Sequence, residues 1–125
     1  MKTLLFVALG GALGAVLRYS ISAGIYHWFG RSFPYGTLAV NVLGSLAIGL
    51  LSILLVEKYN VPQDIKLGLV VGVLGALTTF STFSWDTVDL LQQGLIQRAL
   101  LNILLNVFVC IAAVWVGTVW AKTMV

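Results

Sequence analysis

Charge is what this sequence has least of. Asp, Glu, Lys and Arg make up only 9% of its 125 residues, where soluble domains carry about 25%. Carboxylates are scarce: Glu57, Asp64, Asp86 and Asp89 are the full set, all near predicted helix ends, and none falls between Thr3 and Val56. A proton-coupled pump normally needs an ionisable group deep in the membrane, and the first half of the chain offers no such carboxylate. The single cysteine, Cys110, excludes an internal disulfide and reads as a small packing residue in an apolar stretch. The single histidine, His27, falls at the end of a predicted helix, an interfacial place. No metal-ligand cluster and no nucleophile beside a base is visible, which argues against an enzyme. The basic residues Lys2, Arg18, Arg31, Lys58, Lys66, Arg98 and Lys122 are scattered, so a nucleic-acid partner has no patch to bind.

What the sequence has instead is apolar surface. Hydrophobic residues reach 60%, against about 45–50% in soluble domains. A soluble fold of this length would leave too much of that surface in water, so lipid is the expected surrounding. A spanning helix needs about 20 mostly apolar residues, and stretches near positions 3–26, 35–56, 65–91 and 99–121 each qualify. Pro34 suits a helix start, and Pro62 falls in the loop before the third span. The expected fold is all-α, a single four-helix transmembrane domain over residues 1–125. Lys2 and the apolar run after it have the outline of a signal peptide. The meagre basic region, the glycines and the three further spans favour a retained helix.

Four crossings put both termini on one side, with Lys2, Lys58, Lys66 and Lys122. Arg31 and Arg98 fall on the other, joined by Arg18 if it snorkels that way. So weak a bias permits insertion in both orientations, and equally permits one. Gly10 and Gly14 form a GxxxG pair, as do Gly68 and Gly72, while Asn41, Ser45 and Gly49 continue the spacing on the second span. Such small residues let helix backbones approach closely in lipid.

The unusual segment is 75–84, Gly-Ala-Leu-Thr-Thr-Phe-Ser-Thr-Phe-Ser, with five hydroxyls in the seven residues 78–84. Ser and Thr compete for backbone hydrogen bonds and Gly loosens a helix, so the third span is expected to break here, mid-membrane. Non-helical backbone survives at that depth only in protein or beside a wet cavity, and its freed carbonyls can bind a cation. A kink satisfied by its own hydroxyls is the plainer alternative. Phe80 and Phe83, about one turn apart, could turn positive ring edges to an anion or simply pack. Asn41, Asn102 and Asn106 supply amide donors, which could line an ion track or tie helices together. Arg18, well inside the first span, could draw anions to a vestibule or snorkel to the interface.

Three motifs together resemble the Fluc (CrcB) family of fluoride channels over nearly the whole chain. They are Gly11-Ala12-Leu13-Gly14-Ala15 with Arg18-Tyr19, then Gly36-Thr37-Leu38-Ala39-Val40-Asn41, then Thr78-Thr79-Phe80-Ser81-Thr82-Phe83. The resemblance implies an antiparallel, dual-topology homodimer in the bacterial plasma (inner) membrane. It implies two fluoride pathways, each lined by both subunits. Phe80 and Phe83 match the aromatics that contact fluoride, Asn41 the pore asparagine, and Ser81 and Thr82 hydroxyls of a polar track. Gly75 and Thr78 match positions whose backbone carbonyls hold a structural Na⁺ at the dimer axis. Arg18 matches the arginine near the aqueous vestibule. Leu74 and Ala76 depart from the smaller residues common beside Gly75. On the fourth span Asn102 and Asn106 stand where the family usually shows Tyr and Ser, so Asn106 is a pathway candidate from its chemistry alone.

Passive export of fluoride follows as the expected function. Two other classes fit the outline: a small multidrug exporter, which would use a first-span glutamate absent here, and a noncatalytic subunit of a membrane assembly. The latter explains the small-residue stripes but not the hydroxyl-rich segment or Asn41.

Overall fold

The first helix, α1 (Lys2–Phe29), opens the chain, which a computed structural model describes over residues 1–125. Then come α2 (Tyr35–Lys58), α3 (63–77), α4 (Phe80–Gln92) and α5 (Ile96–Met124). The segments Lys2–Phe29, Tyr35–Lys58, Gln63–Gln92 and Ile96–Met124 are each long and apolar enough to cross a membrane, so this is a multi-pass, all-helical membrane protein. Backbone hydrogen bonding carries α1 three residues past its predicted end, through His27, Trp28 and Phe29. Gly30 stops α1 with φ 77°, a conformation that suits glycine.

The two GxxxG pairs pack against each other. A Cβ at Gly10 would collide with the Gly68 carbonyl, and one at Gly14 with the Val73 carbonyl. At Gly72 a Cβ would come within 2.8 Å of the Val7 carbonyl and 3.0 Å of the Gly10 Cα. A second close crossing joins α2 to α5. There a Cβ on Gly49 would strike the Val114 carbonyl, and one on Gly117 the Leu46 carbonyl. Lipid gives no hydrophobic drive for helix pairing, so this backbone contact supplies dispersion energy instead. Between the crossings, Val40, Leu74 and Leu77 form the buried apolar centre. Leu74, large for its place in the family pattern, fills that centre.

Within Gln63–Gln92, helical dihedrals stop at Leu77 and resume at Phe80. Thr78 (φ −84°, ψ 156°) and Thr79 (φ −152°, ψ 113°) are extended. The hydroxyls there find local partners. Thr78 Oγ1 donates to the Leu74 carbonyl (3.0 Å), and Thr79 Oγ1 caps α4 by accepting from the Thr82 amide (3.1 Å). Three wide i→i+5 turns occur in the helices: Leu54–Lys58, Gly68–Leu74 and Leu105–Val109. Such turns often mark functional places. The last one rotates less per residue than an α turn. It thereby keeps Asn102, Asn106 and Cys110, spaced by four, on one face of α5.

Candidate functional site

Because α4 restarts at Phe80, its first two turns present two distinct stripes. Phe80 and Phe83 line a cavity of about 440 Å³ that also takes in Asn41, Gly75, Thr78 and Asn106. Thr82 and Asp86 line a second cavity of about 450 Å³ that also takes in Arg18, Arg31 and Thr37. Thr79, on the extended segment, belongs to the walls of both. The spacings 79, 82, 86 and 80, 83 place these groups on adjacent faces, as a 3.6-residue repeat requires.

The first cavity is mostly apolar with a polar seam. The Phe80 and Phe83 rings lie 5.3 Å apart at 59°, so an edge of one leans toward the other's face. Phe83 is buried, whereas Phe80 is 78% exposed on the open side of the chain, as is much of Gly75. The seam begins at Asn41. Its Oδ1 accepts from the Thr79 amide (2.8 Å), and its Nδ2 donates to the Thr79 carbonyl (3.2 Å) and to Asn106 Oδ1 (2.9 Å). An unbroken helix would aim that Thr79 amide at the Gly75 carbonyl, so the asparagine takes the place of a helical bond.

The second cavity holds the charges. Arg18, half-buried, shares it with Arg31, whose guanidinium lies 4.5 Å from the centre of the Tyr26 ring. Arg18 therefore belongs with Arg31 and Arg98 at one end of the molecule, and Arg98 Nη1 donates there to the Ser32 carbonyl (3.1 Å). Asp86 Oδ2 accepts from the Thr37 hydroxyl (2.7 Å). The sequence grouped Asp86 with helix-end carboxylates. The structure places it on the cavity wall, because the helix that carries it begins only at Phe80. Its spacing of four from Thr82 and seven from Thr79 was the signal available.

Of the residues singled out in the sequence, Asn41, Gly75, Thr78, Phe80, Phe83 and Asn106 meet at the first cavity. Arg18 and Thr82 meet at the second. Ser81 lies on neither wall; its hydroxyl is 3.3 Å from Thr79 Oγ1. Cys110 lines the first cavity, a position its packing role did not foretell. With Thr79 occupied by Asn41, the Gly75 carbonyl is released from its usual helical donor. The only atom near a Cβ built at Gly75 is the Val70 carbonyl oxygen at 3.8 Å. Gly75 is an exposed residue, and a carbonyl freed in this way could serve a small hard cation such as Na⁺.

The arrangement has relatives. The model of the CrcB-like protein, Camphor Resistance (CrcB), matches residues 5–118. The chain belongs to the CrcB family. Among curated CrcB relatives, one from Magnetococcus marinus is 52% identical over 91% of this chain and 93% of its own length. One from Geobacter metallireducens is 45% identical over 98% of both. One from Methylococcus capsulatus is 47% identical over 98% of this chain, which spans about half (54%) of that longer protein. All three carry the name fluoride-specific ion channel FluC. CrcB membership makes the paired cavities, rather than any reactive side chain, the place to look for function.

Proposed function

We propose that this chain is a subunit of a passive fluoride channel of the bacterial inner membrane, and not an enzyme. The observation that carries the proposal is Thr79, a hydroxyl-bearing residue on extended backbone that walls both a cationic cavity and an aromatic one. The curated relatives' shared name supports the choice of ion.

Fluoride is small and strongly hydrated. A conducting site must replace its water well enough to admit it and loosely enough to release it. Arg18 and Arg31 raise the local concentration of anions in the second cavity, while Asp86 offsets part of that charge and keeps them from being trapped. The Thr82 hydroxyl, which accepts from Thr79 Oγ1 (3.1 Å), then offers its own hydrogen at the start of α4, with Ser81 beside it. The helix dipole there favours negative charge. Beyond Thr79, the ring edges of Phe80 and Phe83 offer weak positive potential without a fixed charge. Asn41 and Asn106 form the polar wall of this stage.

The exposed Gly75 and Phe80 call for a cover. A second, antiparallel copy supplies it, giving two pathways per dimer. Counting Arg18 with Arg31 and Arg98, four basic residues face three across the chain, a bias weak enough for dual insertion. The break at Thr78–Thr79 lies mid-membrane in that assembly. Carbonyls of Gly75 and Thr78 from both copies would hold a structural Na⁺, which would supply fixed positive charge between them.

Growth tests the proposal. Bacteria lacking their own fluoride exporter should regain fluoride tolerance when they express this chain. The Phe80→Ile and Phe83→Ile variants should lose most of that tolerance at equal membrane abundance. Full tolerance with both phenylalanines replaced would remove the aromatic stage from the pathway. No tolerance from abundant wild-type protein would reject the channel itself.

A further inference from the structure

The asparagine seam does not stop at the cavity. Asn106 Nδ2 donates to both the backbone carbonyl (2.9 Å) and Oδ1 (3.0 Å) of Asn102. Asn102 Nδ2 donates to Thr87 Oγ1 (3.0 Å), and Thr87 Oγ1 donates to the Phe83 carbonyl (2.8 Å). Asn102 is fully buried and lines neither cavity. An amide side chain has one accepting and one donating end, so each link dictates the orientation of the next. Thr87, committed to the Phe83 carbonyl, accepts from Asn102 Nδ2. Asn102 Oδ1 must then face Asn106 Nδ2. That turns Asn106 Oδ1 to Asn41, and leaves Asn41 Oδ1 for the Thr79 amide. No buried side-chain polar atom in the chain lacks a partner, so the network has no slack.

We propose that Asn102 is a positioning residue for conduction: acting through Asn106 and Asn41, it fixes the Thr79 peptide that divides the two cavities. It touches neither the ion nor the pathway. The relay also commits both Nδ2 hydrogens of Asn41, to the Thr79 carbonyl and to Asn106. The donors left for an anion are thus hydroxyls at the start of α4, Thr82 and Ser81, which sit against the Thr79 side chain. The inference rests on the channel reading for its functional consequence, but its structural half, control of the Thr79 peptide from Asn102, stands apart from it.

The test uses the purified full chain in liposomes with two readouts, fluoride efflux and hydrogen exchange of the peptide around Thr79. Asn102→Leu keeps the branched shape and heavy-atom count and removes the amide. It should slow efflux about tenfold, the rate equivalent of one net hydrogen bond, and speed exchange at Thr79 while α4 stays protected. Thr87→Val, a milder cut at the far end of the relay, should shift both readouts in the same direction and is the fallback if Asn102→Leu fails to assemble. The Asn102→Leu/Asn106→Leu double variant should be no slower than Asn106→Leu alone, because both act on one chain of bonds. Multiplying losses would assign Asn102 to packing and overturn the proposal, as would unchanged Thr79 exchange in both Asn102→Leu and Thr87→Val. Absent efflux from wild-type protein would instead reject the channel reading, leaving the exchange result to decide the relay.

Discussion

Asn41 shows how one side chain can substitute for a turn of helix. Its amide carries the same donor and acceptor pair as a peptide, and it engages both polar backbone atoms of Thr79. Removing it strands a buried amide whose neighbouring helix offers no replacement. Asn41→Ala should therefore destabilise the protein by about 1–3 kcal/mol, the cost of an unsatisfied buried donor. A thermal unfolding series in detergent should show a lower midpoint, and an unchanged midpoint would contradict the geometry. This role was only partly legible in the sequence. Asn41 could be picked out as an intramembrane amide, with ion track and interhelical tie as open alternatives. The choice depends on where its hydrogens go, and that requires Thr79 from the extended segment and Asn106 and Asn102 from α5. Asp86 was misplaced for a related reason: hydropathy counts it from the end of a span, whereas its surroundings depend on where α4 begins.

At the scale of the elements, glycine spacing was the most readable feature. The GxxxG pairs on α1 and α3 meet face to face, and Gly49 on α2 meets Gly117 on α5. Adjacent glycines separate close approach from mere helix composition. A Cβ at Gly10 strikes the Gly68 carbonyl, whereas one at Gly11 meets nothing within 4 Å. Gly10→Ala should cost about 1–3 kcal/mol by overpacking, while Gly11→Ala should be neutral or mildly stabilising, since alanine favours helix by up to about 1 kcal/mol. Melting midpoints of the two variants, measured side by side, check the pair. Equal midpoints would mean that α1 does not seat against α3 as described. The i→i+5 turn at Leu105–Val109 was not readable, because nothing in Leu-Asn-Val-Phe-Val distinguishes it from an ordinary apolar helix. Yet that turn is what keeps the Asn102, Asn106 and Cys110 stripe in register.

For the whole molecule, composition was enough to predict four helices in lipid, and three short motifs were enough to suggest the family. What composition could not provide is the division of the interior into two cavities with one residue between them. That division follows from an interruption two residues long, and it leaves a charged compartment and an aromatic one that share Thr79. The account stands on the proposal that fluoride passes from one to the other. The most direct measurement is fluoride efflux from liposomes holding the purified wild-type chain, followed with a fluoride electrode beside a chloride control. The account predicts rapid fluoride release with chloride retained. Chloride released as fast as fluoride, or no release from well-folded protein, would contradict it.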